Sequence, residues 1–380
     1  MNTGRLAPPH RFRGTSFRTL FPALALVLLA SGTPGSLQER VRSQAPADFP
    51  AWVAALSEAG GSFDTDNLIS NERSYLQVLP AISHKGLTGG AYIGVGPDQN
   101  FSYIAALEPE IAFIIDIRRD NLLLHLLFKA LFGLSEGRAE YLALLLGRTA
   151  PPASERPKDL PISRIIAHVD RPALSPSSID NIRKKVDLAI ARTGVPLTPE
   201  DLATIDRFHR RFIDAGLDLR FNSTGRPPQS GYPTYRELLL ETDADGRQGS
   251  YLASEKAFAF VKALQARDLV IPVVGDLSGP SALSSIARLL SSRRQHLSAL
   301  YASNVEFYLF RQGRYPEFAA NLQRMPRSKD AVVIRSVFGR FTSHARPGDV
   351  STSELHAVGG LIRDHDAGLF RSYTQLVGGR

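Results

Sequence analysis

The sequence contains no cysteine in its 380 residues. Without thiols the chain can form no disulfide, no thiolate zinc site, no cysteine-ligated iron–sulfur cluster and no cysteine nucleophile. It also contains no G-x-S-x-G nucleophile elbow and no Walker A motif, so the signals of α/β-hydrolases and P-loop nucleoside triphosphatases are missing. The nine histidines are dispersed, and none has the spacing of a zinc-binding helix motif. The sequence therefore predicts no metal site.

The composition is that of an ordinary globular protein, with 43% hydrophobic and 22% charged residues. This balance excludes a disordered chain, a collagen-like repeat and a multi-span membrane protein. The formal net charge is +8, but Arg5, Arg11, Arg13 and Arg18 lie within the first 37 residues, which contain no acidic residue. The remaining excess is not gathered into a basic stripe with interleaved aromatic residues, so we expect no nucleic-acid partner.

Residues 1–32 have the layout of a secretory signal peptide. A polar, Arg-rich stretch runs through Arg18, an apolar run follows from Leu20 to Ala30, and small residues come next. The apolar run is too short for a bilayer-spanning helix, which needs about 20 residues. We therefore expect a periplasmic or secreted protein without a transmembrane span in the mature chain, and residues 33–50 as a linker. The alternatives are an uncleaved anchor, or an extension without signal function on a cytoplasmic protein.

Apolar runs separated by helical patterns predict an α/β fold. Strands alternating with helices imply a Rossmann-like, mostly parallel, doubly wound sheet with helices on both faces. A mostly helical block, residues 136–266, separates the second strand from the third and predicts a large insertion or cap. The core then comprises residues 51–135 and 267–380. The predicted strands are Ala91–Val95, Ile111–Ile115, Leu269–Val274, Leu297–Ala302 and Ala331–Val337.

In an open parallel sheet, ligands bind beyond the carboxyl ends of the strands. The residues that follow each strand are therefore the candidate binding residues. Asp116 lies twenty residues past Gly96, where an acid can accept hydrogen bonds from ribose hydroxyls. The alternative is local: residues 116–120 as a strand-end and helix-cap cluster with ion pairing, and Asp276 as the N-cap of the next helix. The candidates are Gly94, Gly96, Pro97, Asp98, Asn100, Asp116, Ile117, Arg118, Asp276, Leu277 and Asn304.

Two stretches carry a resemblance to a known fold. With GGAYIGVGPDQNFSYIAALEPEIAFIIDIRRDNLLLHLLFKALF and VIPVVGDLSGPSAL plus SALYASNVEFYL, the chain resembles the class I S-adenosylmethionine-dependent methyltransferase fold. It is more closely similar to a bacterial family of uncharacterised proteins built on that fold. The resemblance implies that Gly94 and Gly96 cradle the cofactor, that Asp116 binds the ribose and that Asp276 contacts the adenine amino group.

The chain departs from the methyltransferase pattern at two places. Tyr92 stands where an acid normally precedes the first glycine by two residues, and Pro97-Asp98 stands where a third glycine is expected. That acid helps to hold the amino group of the methionine portion. Glu72, Asn71 and Asn67, in the polar stretch FDTDNLISNERSY, are candidate replacements if this segment folds over the strand ends.

The resemblance implies a methyltransferase-like protein that binds S-adenosylmethionine or a related adenosyl ligand, with an acceptor pocket formed by the helical insertion. No residue stands out as a general base, and the candidates by position are Asn304, Glu306, Tyr103 and Tyr75. S-adenosylmethionine is made in the cytosol, whereas the N-terminus predicts export. The alternative is therefore a non-catalytic envelope protein that uses a methyltransferase-like scaffold to bind another ligand or a protein.

Overall fold

The computed structural model describes residues 48–152, 154, 160–223, 225, 231–339, 346 and 349–378. The predicted signal peptide, residues 1–32, and the linker up to residue 47 lie outside the described residues. The first helix begins at Phe49, two residues before the predicted start of the core at Ala51. Pro50 is compatible with this earlier start, because a proline in the first helical turn removes an N–H that would have no partner there.

A six-stranded sheet of order β3-β2-β1-β4-β5-β6 forms the centre of the molecule. The first five strands are parallel, and β6 is antiparallel to β5. The predicted α/β class with a mostly parallel sheet is confirmed. The strands are β1 Ala91–Val95, β2 Ile111–Asp116, β3 Val270–Val274, β4 Leu297–Ser303, β5 Arg327–Phe338 and β6 Ser351–Ala357.

The central strands are buried on both faces. Every residue of β1 and of β3 is buried, as is every residue of β2 except Asp116. A strand covered on both faces consists of a continuous apolar run instead of alternating apolar and polar residues. This explains why the positions of β1 and β2 could be predicted from the sequence to within a residue.

The edge strand β6 was not predicted. Its sequence, STSELHA, is mostly polar, and it pairs with β5 from Phe338 opposite Ser351 to Val332 opposite Ala357. Only part of this strand is buried. An edge strand needs fewer apolar side chains, so its hydrophobic pattern is weak. Strand β5 also begins at Arg327, before the predicted Ala331, in a polar extension.

The helices cover the sheet and form the block between β2 and β3. Among the described helices, none combines the length and the apolar character needed to cross a membrane. The α-helices are α1 Phe49–Leu56, α2 Leu79–His84, α3 Gln99–Leu107, α4 Arg119–Leu134, α5 Arg138–Leu146, α6 Ile162–Val169, α7 Pro176–Ala191, α8 Pro199–Ala215, α9 Tyr235–Leu240, α10 Glu255–Ala266, α11 Ala282–Ser292, α12 Val305–Arg311, α13 Tyr315–Arg324, α14 Val358–Asp366 and α15 Tyr373–Gly378, with short 3₁₀ helices at Arg73–Leu76 and Gly216–Asp218.

The segment between α1 and the first 3₁₀ helix, residues 57–72, crosses the carboxyl ends of the strands, and we call it the N-terminal strap. The Glu58 N–H donates to the Val274 carbonyl at 2.9 Å, and the Gly61 N–H donates to the Ile117 carbonyl at 2.7 Å. A Cβ atom on Gly61 would lie 2.6 Å from Cδ1 of Ile117. A side chain at this position would therefore require the Ile117 side chain to move.

Candidate functional site

A cavity lies between the N-terminal strap and the carboxyl ends of β1 to β4. The chain runs from β1 to β2 on one side and returns to β4 on the other side of β1, so the cavity lies at the switch point of the sheet. Ligands of doubly wound folds bind at this point. The lining residues at and just after the strand ends are Gly96, Asp116, Ile117, Arg118, Gly275, Asp276, Leu277, Ser303 and Asn304, and the strap contributes Phe63, Thr65, Asn67, Ser70, Asn71 and Glu72.

Two buried side chains, Asn100 and His125, stabilise the turn after β1 through hydrogen bonds to its carbonyl groups. Gly96 has φ +85°, a conformation that favours glycine. The Asn100 side-chain amide donates to the carbonyls of Val95 and Pro97 at 2.9 and 2.8 Å, and the ring Nε2 of His125 lies 2.9 Å from the Gly96 carbonyl oxygen. Burial lowers the pKa of His125 to about 4, so the ring is neutral and Nε2–H donates this bond. Asn100 and His125 thus shape the turn without lining the cavity.

Four predicted binding residues lie outside the cavity wall: Gly94, Pro97, Asp98 and Asn100. A Cβ atom on Gly94 would meet Oδ1 of Asn100 and the hydroxyl of Tyr92, so this glycine faces the packed interior instead of a ligand. Of the two glycines predicted to contact the cofactor, only Gly96 lines the cavity. Glycine spacing alone could not distinguish a surface that faces a ligand from one that faces the core.

The Asp98 side chain points into a cluster of tyrosines. Its Oδ2 atom accepts hydrogen bonds from the hydroxyls of Tyr235 at 2.8 Å and Tyr251 at 3.1 Å, and the Tyr251 hydroxyl lies 3.4 Å from that of Tyr141. Burial raises the pKa of Asp98 to about 6, although both hydrogen bonds oppose the shift. We call these four residues the tyrosine cluster. It connects the loop after β1 to the helical block.

Asp116 lines the cavity in a bidentate ion pair with Arg118. The Arg118 Nε and Nη2 atoms donate to Oδ1 and Oδ2 of Asp116 at 3.0 and 2.8 Å, and the Arg118 backbone N–H donates to Oδ1. Nη1 of Arg118 donates to the carbonyl of Thr65 at 2.9 Å. The local ion pairing considered as the alternative is thus present. Arg118 also connects the strap to the end of β2 through its hydrogen bond to the Thr65 carbonyl.

Asp276 lines the cavity but does not cap the next helix. Its Oδ1 accepts from the backbone and hydroxyl of Ser278, and its Oδ2 lies 2.9 Å from Nη1 of Arg314. The backbone N–H groups of Ser281 and Ala282, at the start of α11, both donate to Oε2 of Glu58. The alternative that made Asp276 an N-cap is therefore wrong. A carboxylate of the strap takes that position.

Glu72 is the most deeply buried acid of the cavity wall, with 1% of its surface exposed. Hydroxyls from two strands, those of Tyr301, Ser303 and Ser336, donate to its carboxylate. Burial raises the pKa of Glu72, and these hydrogen bonds oppose the shift without cancelling it. In the described part of the chain no ion pair neutralises this carboxylate.

Side-chain amides make up much of the remaining polar wall. Oε1 of Gln99 is buried without a hydrogen-bond partner among the described residues, although Gln99 lines the cavity. A buried acceptor without a donor is costly, and in a cavity wall it suits a ligand that supplies the donor. The sequence prediction missed Gln99, since nothing in the sequence sets the first turn of α3 apart. The predicted Asn67, Asn71 and Asn304 line the cavity beside it.

The other catalytic candidates by position lie elsewhere. Tyr103 is fully buried and donates to the Tyr75 carbonyl at 2.6 Å, and Tyr75 donates to the Leu238 carbonyl at 3.0 Å. Glu306 forms a buried ion pair with Arg335, 2.6 Å from Oε2 to Nε. Within the described ranges no group of three or more His, Asp or Glu side chains lies close enough to hold a metal ion. Asn304 alone of these candidates reaches the cavity.

Comparison with known proteins gives one family. No curated protein matches the chain. A family model described as a domain of unknown function, DUF7790, matches residues 68–150 and 227–358, more than half of the chain. The match includes all six described strands and Glu72, but not the first part of the strap or residues 151–226 of the helical block. The protein belongs to the DUF7790 family.

Proposed function

We propose that the protein binds S-adenosylmethionine, or a related adenosyl ligand, in the cavity and acts as a methyltransferase-like protein. One observation carries the proposal: the cavity lies at the switch point of the sheet, and its wall contains Asp116, the last residue of β2, and Asp276, two residues after β3. Those are the positions at which a dinucleotide- or adenosyl-binding fold contacts its ligand.

The polar groups of the wall fit the two ends of such a ligand. A carboxylate offers about four lone-pair sites. Three bonds from Arg118 occupy Asp116, which leaves Oδ2 able to accept one ribose hydroxyl. At the other end, Glu72 and the unpaired Oε1 of Gln99 are both acceptors, as an ammonium group requires.

Glu72 is the acid of the wall that favours a cationic ligand. Of the described lining carboxylates, Asp116 is paired with Arg118 and Asp276 with Arg314, whereas Glu72 has no ion-pair partner. Bound S-adenosylmethionine supplies an electrophilic methyl group, whose C–S bond breaks with its electron pair on sulfur as an acceptor lone pair bonds to carbon. The described wall contains no histidine or lysine to take a proton from the acceptor. Its contribution would be alignment of the two reactants, which supplies a large part of many rate enhancements.

Binding without catalysis is the second candidate, and the ion pairs favour it. Arg118 supplies three hydrogen bonds to Asp116, and Arg314 and Ser278 together supply three to Asp276. A scaffold that satisfies its own acids in this way suits a non-catalytic envelope protein, which is also the function that the predicted export signal would favour. Such a protein would bind a ligand but transfer no methyl group.

A thermal-shift titration of the full chain with S-adenosylmethionine and S-adenosylhomocysteine tests the proposal. A ligand at about 100 times its Kd adds about 2.7 kcal/mol to the free energy of unfolding. We expect this shift in the wild type, a smaller shift in Asp116→Asn, and an unchanged shift in Asp120→Asn, which alters an acid of α4 outside the cavity wall. No shift with either ligand would exclude adenosyl-ligand binding. Binding without methyl transfer to any acceptor tried would favour the second candidate.

A further inference from the structure

A second cleft adjoins the cavity, and aromatic side chains form most of its wall. These side chains come from the strap, the helical block, α12, the end of β5 and α15, so the cleft is assembled from parts of the chain that are distant in sequence. We call it the aromatic cleft. Its aromatic residues are Phe63, Phe221, Tyr232, Phe307, Tyr308, Phe338 and Tyr373.

The aromatic cleft and the cavity share part of their walls. Phe63, Phe221 and Tyr308 line both, and so do Asn71 and Asn304. The two spaces therefore meet at these five residues. A molecule in the cleft would lie next to a ligand in the cavity.

Several rings of the cleft wall pack edge to face on one another. Phe63 and Tyr308 meet edge to face with their centroids 5.1 Å apart, and Phe307 and Tyr373 do so at 5.4 Å. The Phe63 side chain is 43% exposed even though it is a large hydrophobic group. Edge-to-face and offset-stacked contacts between rings add stability beyond the burial of apolar area. A wall of this kind favours an aromatic ring over a saturated one.

The two amides at the junction supply the polar contacts. Among the described residues, the side chains of Asn71 and Asn304 have no hydrogen-bond partner. A primary amide both donates and accepts. Ligand sites are typically apolar, with a few polar groups that fix orientation. The junction thus suits a hydroxyl, an amine or an amide attached to the ring.

We propose that the aromatic cleft binds a small molecule with an aromatic ring, whose polar substituent lies at Asn71 and Asn304 and points toward the cavity. The assignment of this molecule as the methyl acceptor rests on the proposed function, but its binding in the cleft does not. The acceptor site would then be formed jointly by the strap, the helical block, α12, the end of β5 and α15, whereas the sequence assigned it to the helical insertion alone.

Titration of the full chain with 4-methylphenol, followed by ligand-observed NMR, tests this inference. 4-Methylcyclohexanol is the matched probe without an aromatic ring. We expect 4-methylphenol to bind more tightly, and the double variant Phe307→Leu with Phe338→Leu to weaken its binding about tenfold, since each ring contact contributes about twofold to tenfold. Leucine keeps the sites apolar. Phe318→Leu is the control, because Phe318 of α13 packs edge to face on Tyr315 and does not line the cleft.

Equal affinity for the two probes would overturn the aromatic specificity. Undiminished binding to the double variant would overturn the location. If the double variant does not fold, Tyr373→Leu on α15 provides the same comparison from the opposite wall. Binding of 4-methylphenol without any shift from S-adenosylmethionine would retain the cleft and reject the proposed function, so the two failures can be distinguished.

Discussion

Glu72 and Asp98 are buried acids near the turn after β1, and both accept hydrogen bonds from hydroxyls instead of pairing with a cation. Glu72 lines the cavity and contacts residues of β4 and β5. Asp98 is enclosed in the tyrosine cluster, against residues of the helical block. The first can exchange contacts with a ligand, whereas the second can only contribute to the fold.

The charge of a third buried acid, Glu306, is compensated by an ion pair. Glu306 and Arg335 are each 1% exposed and form a bidentate pair. Here the charge of the acid is neutralised by the chain itself. Burying a charge without such a partner is costly, and hydroxyl donors reduce that cost only in part. The comparison therefore separates a permanent structural pair from two acids held by hydroxyls alone.

The largest loss of unfolding free energy is expected from Glu306→Gln. This change leaves the buried Arg335 guanidinium without its counter-charge, and removing one partner of a buried ion pair typically costs about 3–5 kcal/mol. Urea denaturation measures the loss of unfolding free energy. The control is Glu317→Gln, which alters an exposed acid of α13. A loss below about 1 kcal/mol would show that this pair is no more important to stability than hydroxyl contacts are.

The second effect is the pH dependence caused by Asp98. The pKa of Asp98 is about 6 in the folded protein, above its usual value of 3.8, so the folded state favours the protonated acid. Its contribution to stability is therefore full below about pH 4 and is lost as the pH rises through about 6. The loss is about 3 kcal/mol for a shift of this size.

We expect Asp98→Asn to remove this contribution to the pH dependence. Asparagine retains an oxygen that can accept hydrogen bonds from Tyr235 and Tyr251, and it carries no charge at any pH. Unfolding free energies of wild type and variant should therefore agree most closely near pH 4, and the variant should be relatively more stable near pH 8. Parallel pH profiles would show that the tyrosines already stabilise the ionised form.

The sequence predicted the central strands well because burial on both faces imposes continuous apolar runs. Leu297–Ala302 differs from the observed β4 by a single residue, Ser303. Strand β6 could not be predicted in this way, since STSELHA has no such run and depends on its pairing with β5. Periodicity identifies strands through burial, and an edge strand is only partly buried.

The site could be predicted only where position along a strand determines direction. Asp116 ends β2 and Asp276 lies two residues past the end of β3, and both line the cavity. Asp98 and Asn100 lie in the turn and first helical turn after β1, where helix rotation decides the direction of each side chain, and both point away from the cavity. The same rotation brings Gln99 into the wall. The direction in which each of these side chains points depends on tertiary packing, which the spacing of residues along the sequence does not encode.

The smallest effect, and the most informative about function, is expected from Glu72→Gln. Burial raises the pKa of Glu72, so the ionised acid is disfavoured in the fold, and a neutral amide should not lower stability near pH 8. Hydrogen bonds to charged groups contribute about 1.5–3 kcal/mol. If Glu72 holds the ammonium group of the ligand, the Glu72→Gln variant should bind S-adenosylmethionine about tenfold or more weakly than the wild type, as measured by calorimetry.

Asp98→Asn is the matched control, because it neutralises the other hydroxyl-held acid, which lies outside the cavity wall. It should change the pH profile of stability and leave the affinity for S-adenosylmethionine unchanged. Glu72→Gln should do the reverse near pH 8, lowering affinity at undiminished stability. Equal losses of affinity in the two variants would indicate that both acids act through the turn after β1. An unchanged affinity in Glu72→Gln would remove Glu72 from the binding site, because a ligand bound at this carboxylate must respond to the loss of its charge.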